Sequence, residues 1–199
     1  MIMSFRKEKK FRLSKFEFDS LKNNLRLKGM KALYAKRVIN SLYYDTELHS
    51  MYNDSEEGLL PRKKVRIRWY DDIREANNEV KISSVEGRFK TSCLADVTSE
   101  STLPQSLYDS YYGIINSSLL VSYTREYFSF ETMRITFDSD IQYVNYRQSR
   151  KISHKDGECV MEVKVGLEVP DDYIEKMLPF PTSRFSKYSR GLLISNGEL

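Results

Sequence analysis

Alternation of apolar and polar side chains is the dominant pattern along the chain. In RKKVRIRWY (62–70), Val65, Ile67 and Trp69 fall on one side, and Lys64, Arg66, Arg68 and Tyr70 on the other. A half-buried strand produces this pattern because successive side chains point to opposite faces. Residues 5–13 set Phe5, Phe11 and Leu13 against Arg6, Glu8, Lys10 and Arg12. The β-forming run VINSLYYDT (38–46) predicts another strand, and 79–83 with 88–92 predicts a hairpin turning at EGR. Segments 121–130, 133–138 and 158–165 bring the total to about eight strands, mostly in neighbouring pairs.

Helices are fewer. Ser14 followed by Glu17 is a capping-box pattern, after which Phe18, Leu21 and Leu25 share a face up to Gly29. A second helix is expected over Pro104–Leu120, with Leu107, Tyr111 and Ile114 on its apolar side. Asp171 and Asp172 are expected to cap a short third helix, and RFSKYSRGLL to form the last. Many antiparallel strands with helices between them predict an α+β fold: an eight-stranded antiparallel β-barrel with peripheral α-helices, in a single domain over 1–199.

Composition narrows the functional classes. Thirty-two basic and 28 acidic residues leave a net charge of only +4, so a strong positive field requires local clustering. No apolar run reaches the length of a membrane-spanning helix, and the N-terminus lacks the apolar core of a signal peptide. The two cysteines, Cys93 and Cys159, exclude a disulfide scaffold and predict a reducing, cytoplasmic setting. His49 and His154 lack zinc spacing and read as surface or loop residues. No Ser-His-Asp or Cys-His arrangement is evident, and Cys159 reads as a small core residue.

The polar strand faces concentrate the chemistry. They carry Arg6, Glu8 and Lys10; Lys64, Arg66 and Arg68; Glu79, Lys81 and Lys90; Arg125, Arg134 and Asp138; Glu158, Glu162 and Lys164. Any one such face is ordinarily the solvated side of a sheet. Recurrence on six strands, with cations outnumbering carboxylates, points instead to an inward face lining a basic tunnel. Buried cations are costly unless paired, so such a tunnel suits a polyanion, with arginine forks gripping phosphate and carboxylates holding a divalent ion. Lys7, Lys9 and Lys63 fall out of phase and are expected to face outward. Tyr43, Tyr44 and Tyr188 read as packing residues.

In the stretches RKEKKFRL (6–13), INSLYYDT (39–46), RKKVRIRWY (62–70), EVKISSVEGRFKTS (79–92), YTREYF (123–128), RITFDSDI (134–141), VMEVKV (160–165) and SRFSKYSRG (183–191), the chain resembles the VTC domain, the polyphosphate polymerase branch of the triphosphate tunnel metalloenzymes of the CYTH-like superfamily. The resemblance implies a barrel whose lumen binds a triphosphate and a divalent metal, Mn²⁺ or Mg²⁺. It implies phosphate-gripping roles for Arg66, Arg68, Lys81, Lys90, Arg125, Arg134 and Lys187, and further phosphate or polyphosphate contacts from Lys10, Lys64, Lys164 and Arg184. Glu162 corresponds to the metal-binding glutamate, with Glu8 and Glu79 as weaker candidates for holding metal or for orienting cations. Related cyclases and thiamine triphosphatases open with Glu-x-Glu-x-Lys. Arg6 replaces the first of those carboxylates here, which favours the polymerase-like branch.

The implied activity is transfer of the terminal phosphate of ATP to a growing polyphosphate chain. The rival readings are a tunnel tripolyphosphatase or nucleoside triphosphatase, and a non-catalytic polyphosphate-binding module. The partners implied are ATP or another triphosphate and polyphosphate. A separate membrane component is a further implied associate, and oligomeric state is open. Nucleic acid is not expected, because the basic residues are interleaved with strand faces and form no exposed stripe.

Overall fold

Residues 7–170, 172–178 and 180–199 are described by a computed structural model; the expectations placed on Phe5, Arg6 and Asp171 lie outside them. The strands pair antiparallel in the order β1 (Lys7–Leu13), β10 (Cys159–Val165), β8 (Met133–Asn145), β7 (Gly113–Phe130), β2 (Lys31–Asp45), β3 (Arg62–Tyr70), β4 (Asp72–Ser84) and β5 (Gly87–Leu94). Two short strands lie off this path: β6 (Ser106–Asp109) on β7 and β9 (Ser153–Lys155) on β8. The expected eight-stranded antiparallel architecture is present as a curled sheet, with β1 and β5 at the ends of its hydrogen-bonded path.

Each face is covered for a reason visible in the chain. Helix α1 (Lys15–Leu27) starts at a formed capping box between Ser14 and Glu17. It lays Phe18, Leu21 and Leu25 on the outer face of β1, β10 and β8, where Phe18 meets Phe137 edge-on at 5.1 Å. Cys159 is buried in this layer as a free thiol, in keeping with a packing role. Helix α2 (Ser50–Glu57) and the 95–103 loop cover Val65, Ile67 and Trp69, so the apolar side of β3 faces outward.

The second expected helix is absent. Residues 104–120 form β6, a turn and the start of β7. The Asp109 carboxylate accepts from the backbone amides of Tyr111 and Tyr112, and Gly113 adopts φ 72°, closing a turn that a helix cannot contain. Tyr111 and Ile114 are exposed, so their helical spacing with Leu107 was coincidental. Strand β2 begins at Lys31, before the expected Val38, and β8 runs on to Asn145. Helix α3 (Tyr173–Met177) forms, but Asp172 makes no side-chain cap and pairs with Lys176 at 2.6 Å.

The last helix, α4 (Lys187–Asn196), lies on the concave side. Tyr188 and Leu192 pack with Phe185 on Ile39, Leu119, Val121, Ile141 and Tyr143. The backbone of Gly191 approaches so closely that a Cβ there would lie 2.4 Å from Tyr143 Cδ1 and 2.6 Å from Leu119 Cδ2. One end of the concave face is therefore apolar and filled, and the charged strand faces line the remainder. Among the described residues no helix is long and apolar enough to cross a membrane.

Candidate functional site: a cationic concave face

Cross-strand register stacks the charges into rungs. Lys64 pairs with Lys81 and Lys81 with Lys90; one rung along, Arg66 pairs with Glu79. Like charges directly opposite one another are destabilising unless something negative sits among them. Glu79 supplies part of that charge. Its Oε2 accepts from Arg66 Nε at 2.8 Å and Nη2 at 2.6 Å, its Oε1 accepts from Lys90, and Arg68 lies 4.0 Å away. Arg66 also donates to the Tyr43 hydroxyl at 2.8 Å, and Arg68 to Ser41 Oγ at 2.9 Å and Tyr123 at 3.3 Å. Burial alone would raise the carboxyl pKa of Glu79, but Arg66 and Arg68 hold it down at about 2.

A second cluster forms across β7, β8 and α4. Arg125 grips Asp138 bidentately at 2.6 and 2.7 Å, and Lys187 donates to the same carboxylate at 2.6 Å. Asp138 is fully buried; desolvation opposes its charge, and Arg125 and Lys187 overcome it, lowering its pKa. The segment leading into α4 ties these strands together. Lys10 donates to the Phe185 carbonyl at 3.0 Å and Lys64 to Ser186 Oγ at 3.0 Å.

The third cluster joins β1 and β10. Lys164 lies 2.6 Å from Glu162 and 3.6 Å from Glu8, which is also 3.6 Å from Lys10. Burial disfavours charge on Glu162, but Lys164, Arg125 and Lys10 lower its pKa strongly. Thr136 Oγ1, on the residue opposite Glu162, is buried without a hydrogen-bond partner. Two carboxylates and an orphaned hydroxyl are hard oxygen donors, and Mg²⁺ or Mn²⁺ characteristically takes one or two carboxylates plus substrate phosphate oxygens. These residues therefore fit a divalent cation completed by phosphate. Among the described residues no group of three or more His, Cys, Asp or Glu side chains forms a self-sufficient metal cage.

Of the expected site residues, Lys10, Lys64, Arg66, Arg68, Lys81, Lys90, Arg125, Lys164 and Lys187 share the concave face with Glu8 and Glu162. Arg134 shares it at an exposed rim, its guanidinium 5.6 Å from the Tyr34 ring. Arg184 is not brought to these clusters. It donates to the Ser55 carbonyl and lies 3.5 Å from Glu56, both on α2. Lys7, Lys9 and Lys63 pair with the Val169 carbonyl, Glu175 and Asp109, away from the clusters.

Sequence reasoning noted Asp138 on its strand face but gave it no role, and it missed Tyr123 and Arg37. Tyr43 does pack, stacked on Tyr188 at 4.9 Å, yet it also bonds Arg66. The recoverable signal was alternation: Asp138 is in phase with Arg134, and Tyr123 with Arg125.

The VTC domain family matches residues 5–196. No curated protein matches. Among solved structures, the PH1819 protein of Pyrococcus horikoshii OT3 aligns with a TM-score of 0.55 at 14% identity, over 96% of this chain and 99% of that one. The PH1012 protein of the same organism gives 0.56 at 10% identity, over 92% and 98%. HpAC1 of Hippeastrum, described as an adenylyl cyclase candidate with a dominant triphosphatase activity, gives 0.52 at 14% identity over 96% of both chains. At these identities the likeness is one of fold.

Proposed function

The chain belongs to the VTC domain family, and from that premise we propose that it is a phosphotransferase of the polyphosphate polymerase type. One observation carries the reading. The concave face sets ten basic side chains, Lys10, Lys64, Arg66, Arg68, Lys81, Lys90, Arg125, Arg134, Lys164 and Lys187, against four carboxylates, Glu8, Glu79, Asp138 and Glu162. Lys64, Lys81 and Arg134 have no carboxylate ion pair among the described residues, so the face carries an uncompensated field that a phosphate chain would neutralise. The excess exceeds what one triphosphate tail brings, leaving charge for a second phosphate chain beside it.

Arg66 and Arg68 are held in place by Glu79, Ser41 and Tyr43, and Arg125 by Asp138. They meet the ligand as pre-oriented forks and need no reorganisation during reaction. A terminal oxygen of the polyphosphate chain attacks the γ-phosphorus of ATP, a P–O bond forms there, and the bond to the β-phosphate oxygen breaks to release ADP. Such transfer is governed by positioning and charge stabilisation, without a protein nucleophile. Glu162 and Glu8 are the residues that would hold a divalent ion, which would act as a Lewis acid and offset charge on the phosphates. Arg125, Lys187 and Lys10 hold the transferring group, and Lys64, Lys81 and Lys90 the chain beyond it.

The test is incubation with ATP and Mn²⁺, followed by gel sizing of phosphate polymer. Long chains are expected from the wild type, and none from Glu162→Gln. Orthophosphate alone identifies a hydrolase. Polyphosphate binding without either product identifies a binding module and overturns the reading.

A further inference from the structure

Strand β2 continues past its partner β3. Its pairing with β3 starts at Ile39, whereas its pairing with β7 reaches back to Lys31. The extension projects a rim next to the cationic face, and that rim is aromatic. Tyr34 stands opposite Tyr127, with ring centroids 5.7 Å apart at 85°. Tyr34 is 54% exposed, and the Arg134 guanidinium lies 5.6 Å from its ring centroid. Arg37 lies 5.9 Å from the ring centroid of Tyr70, and its register partner is Arg125, one of the half-buried forks. Neither Arg37 nor Arg134 has a carboxylate partner among the described residues, and the contacts each makes are to tyrosine rings.

A half-exposed tyrosine packed edge-on, with a guanidinium near its face, is poorly explained by core packing. Uncompensated arginines beside the exposed Tyr34 ring and the half-buried Tyr70 ring suit a ligand that is anionic at one end and a flat π-system at the other. The phosphate-binding forks begin one register position away. We propose that the exposed Tyr34 ring, buttressed edge-on by the buried Tyr127 and flanked by Arg134, is a stacking platform for the base of a nucleoside triphosphate whose phosphates run past Arg37 onto the cationic concave face. The proposal rests on the triphosphate reading of that face and deepens it. Tyrosine and arginine stack on a base without reading its edge, so the platform is tolerant of base identity.

The test is calorimetric titration of wild type, Tyr34→Ala and Tyr34→Phe with ATP, GTP and inorganic tripolyphosphate. Tyr34 is exposed, so both variants are expected to keep the fold, checked by their unfolding temperature. Tyr34→Ala is expected to weaken ATP and GTP alike by roughly five- to a hundredfold, the usual range for loss of a stacking ring, and to leave tripolyphosphate unchanged. Tyr34→Phe is expected to match wild type. Unchanged nucleotide affinity in Tyr34→Ala, an equal loss for tripolyphosphate, or a Tyr34→Phe variant as weak as Tyr34→Ala overturns the platform alone. If the wild type binds neither ATP nor tripolyphosphate, the triphosphate reading falls and the platform with it.

Discussion

Glu79 and Asp138 act as internal anions, holding arginines that would otherwise repel one another. Their depressed pKa values fix the direction of the pH response. A carboxyl lowered from 4.5 to about 2 stabilises the folded state above its unfolded pKa, and that contribution is lost as pH falls from 4.5 through 2. Glu79→Gln is therefore expected to destabilise the protein at pH 7 by about 3–5 kcal/mol, the usual cost of leaving a buried charge unpaired. Urea unfolding should show the gap to wild type closing as pH drops below 4.5; a gap independent of pH would refute the assignment.

Lys81 and Tyr43 point the other way. The Lys81 ammonium faces Arg66, is partly desolvated and faces Arg68, and its pKa falls to about 7 although the side chain stays open to the lumen. Burial would raise the Tyr43 phenol, but Arg66, Arg68, Lys81 and Lys64 bring it down to about 7. A bound polyanion raises both values, so at pH 8 binding should take up protons. Tripolyphosphate titrations in buffers of different ionisation enthalpy are expected to show this uptake, reduced in Lys81→Met. A binding enthalpy that is the same in every buffer rules it out.

Among the secondary-structure elements, α4 links packing to the site. Its fit depends on Gly191, and its first residue, Lys187, bonds Asp138. Gly191→Ala forces a methyl into Tyr143 and Leu119, an overpacking expected to cost about 1–3 kcal/mol and to weaken tripolyphosphate binding because Ser186 and Lys187 shift with the helix. Ser14→Ala, which breaks the capping box of α1 on the outer face, is expected to cost about 1 kcal/mol with affinity unchanged. Equal affinities in the two variants would uncouple α4 from the site. Strands such as β3 were legible because one buried face forces period-two alternation on every residue. The β6–β7 turn was not, because Leu107, Tyr111 and Ile114 also satisfy a helical period, and the Asp109 contacts that decide the matter are not a periodic signal. Residue roles that depend on neighbours brought in from distant elements, such as Asp138 holding Lys187 of α4, or Arg184 turning to α2, require the tertiary packing and cannot be read along one strand.

For the molecule as a whole, a net charge of +4 conceals a strongly positive interior. Lys9, Lys15, Lys22, Lys63 and Arg74 are paired with carboxylates away from the concave face, so the outer surface is near balance and the field is concentrated within. A ligand that binds the folded state and not the unfolded chain stabilises it by about 2.7 kcal/mol at a hundred times its Kd, which for a chain of this length raises Tm by roughly 5–10 °C. Tripolyphosphate should produce that shift. Part of it should survive 0.15 M salt, because partly buried charges are screened less than exposed ones. Equimolar sulfate, with one anionic centre, reaches fewer rungs and should give a much smaller shift. Equal shifts from sulfate and tripolyphosphate would mean the cations act as separate surface charges, and the concave face would lose its standing as one binding site.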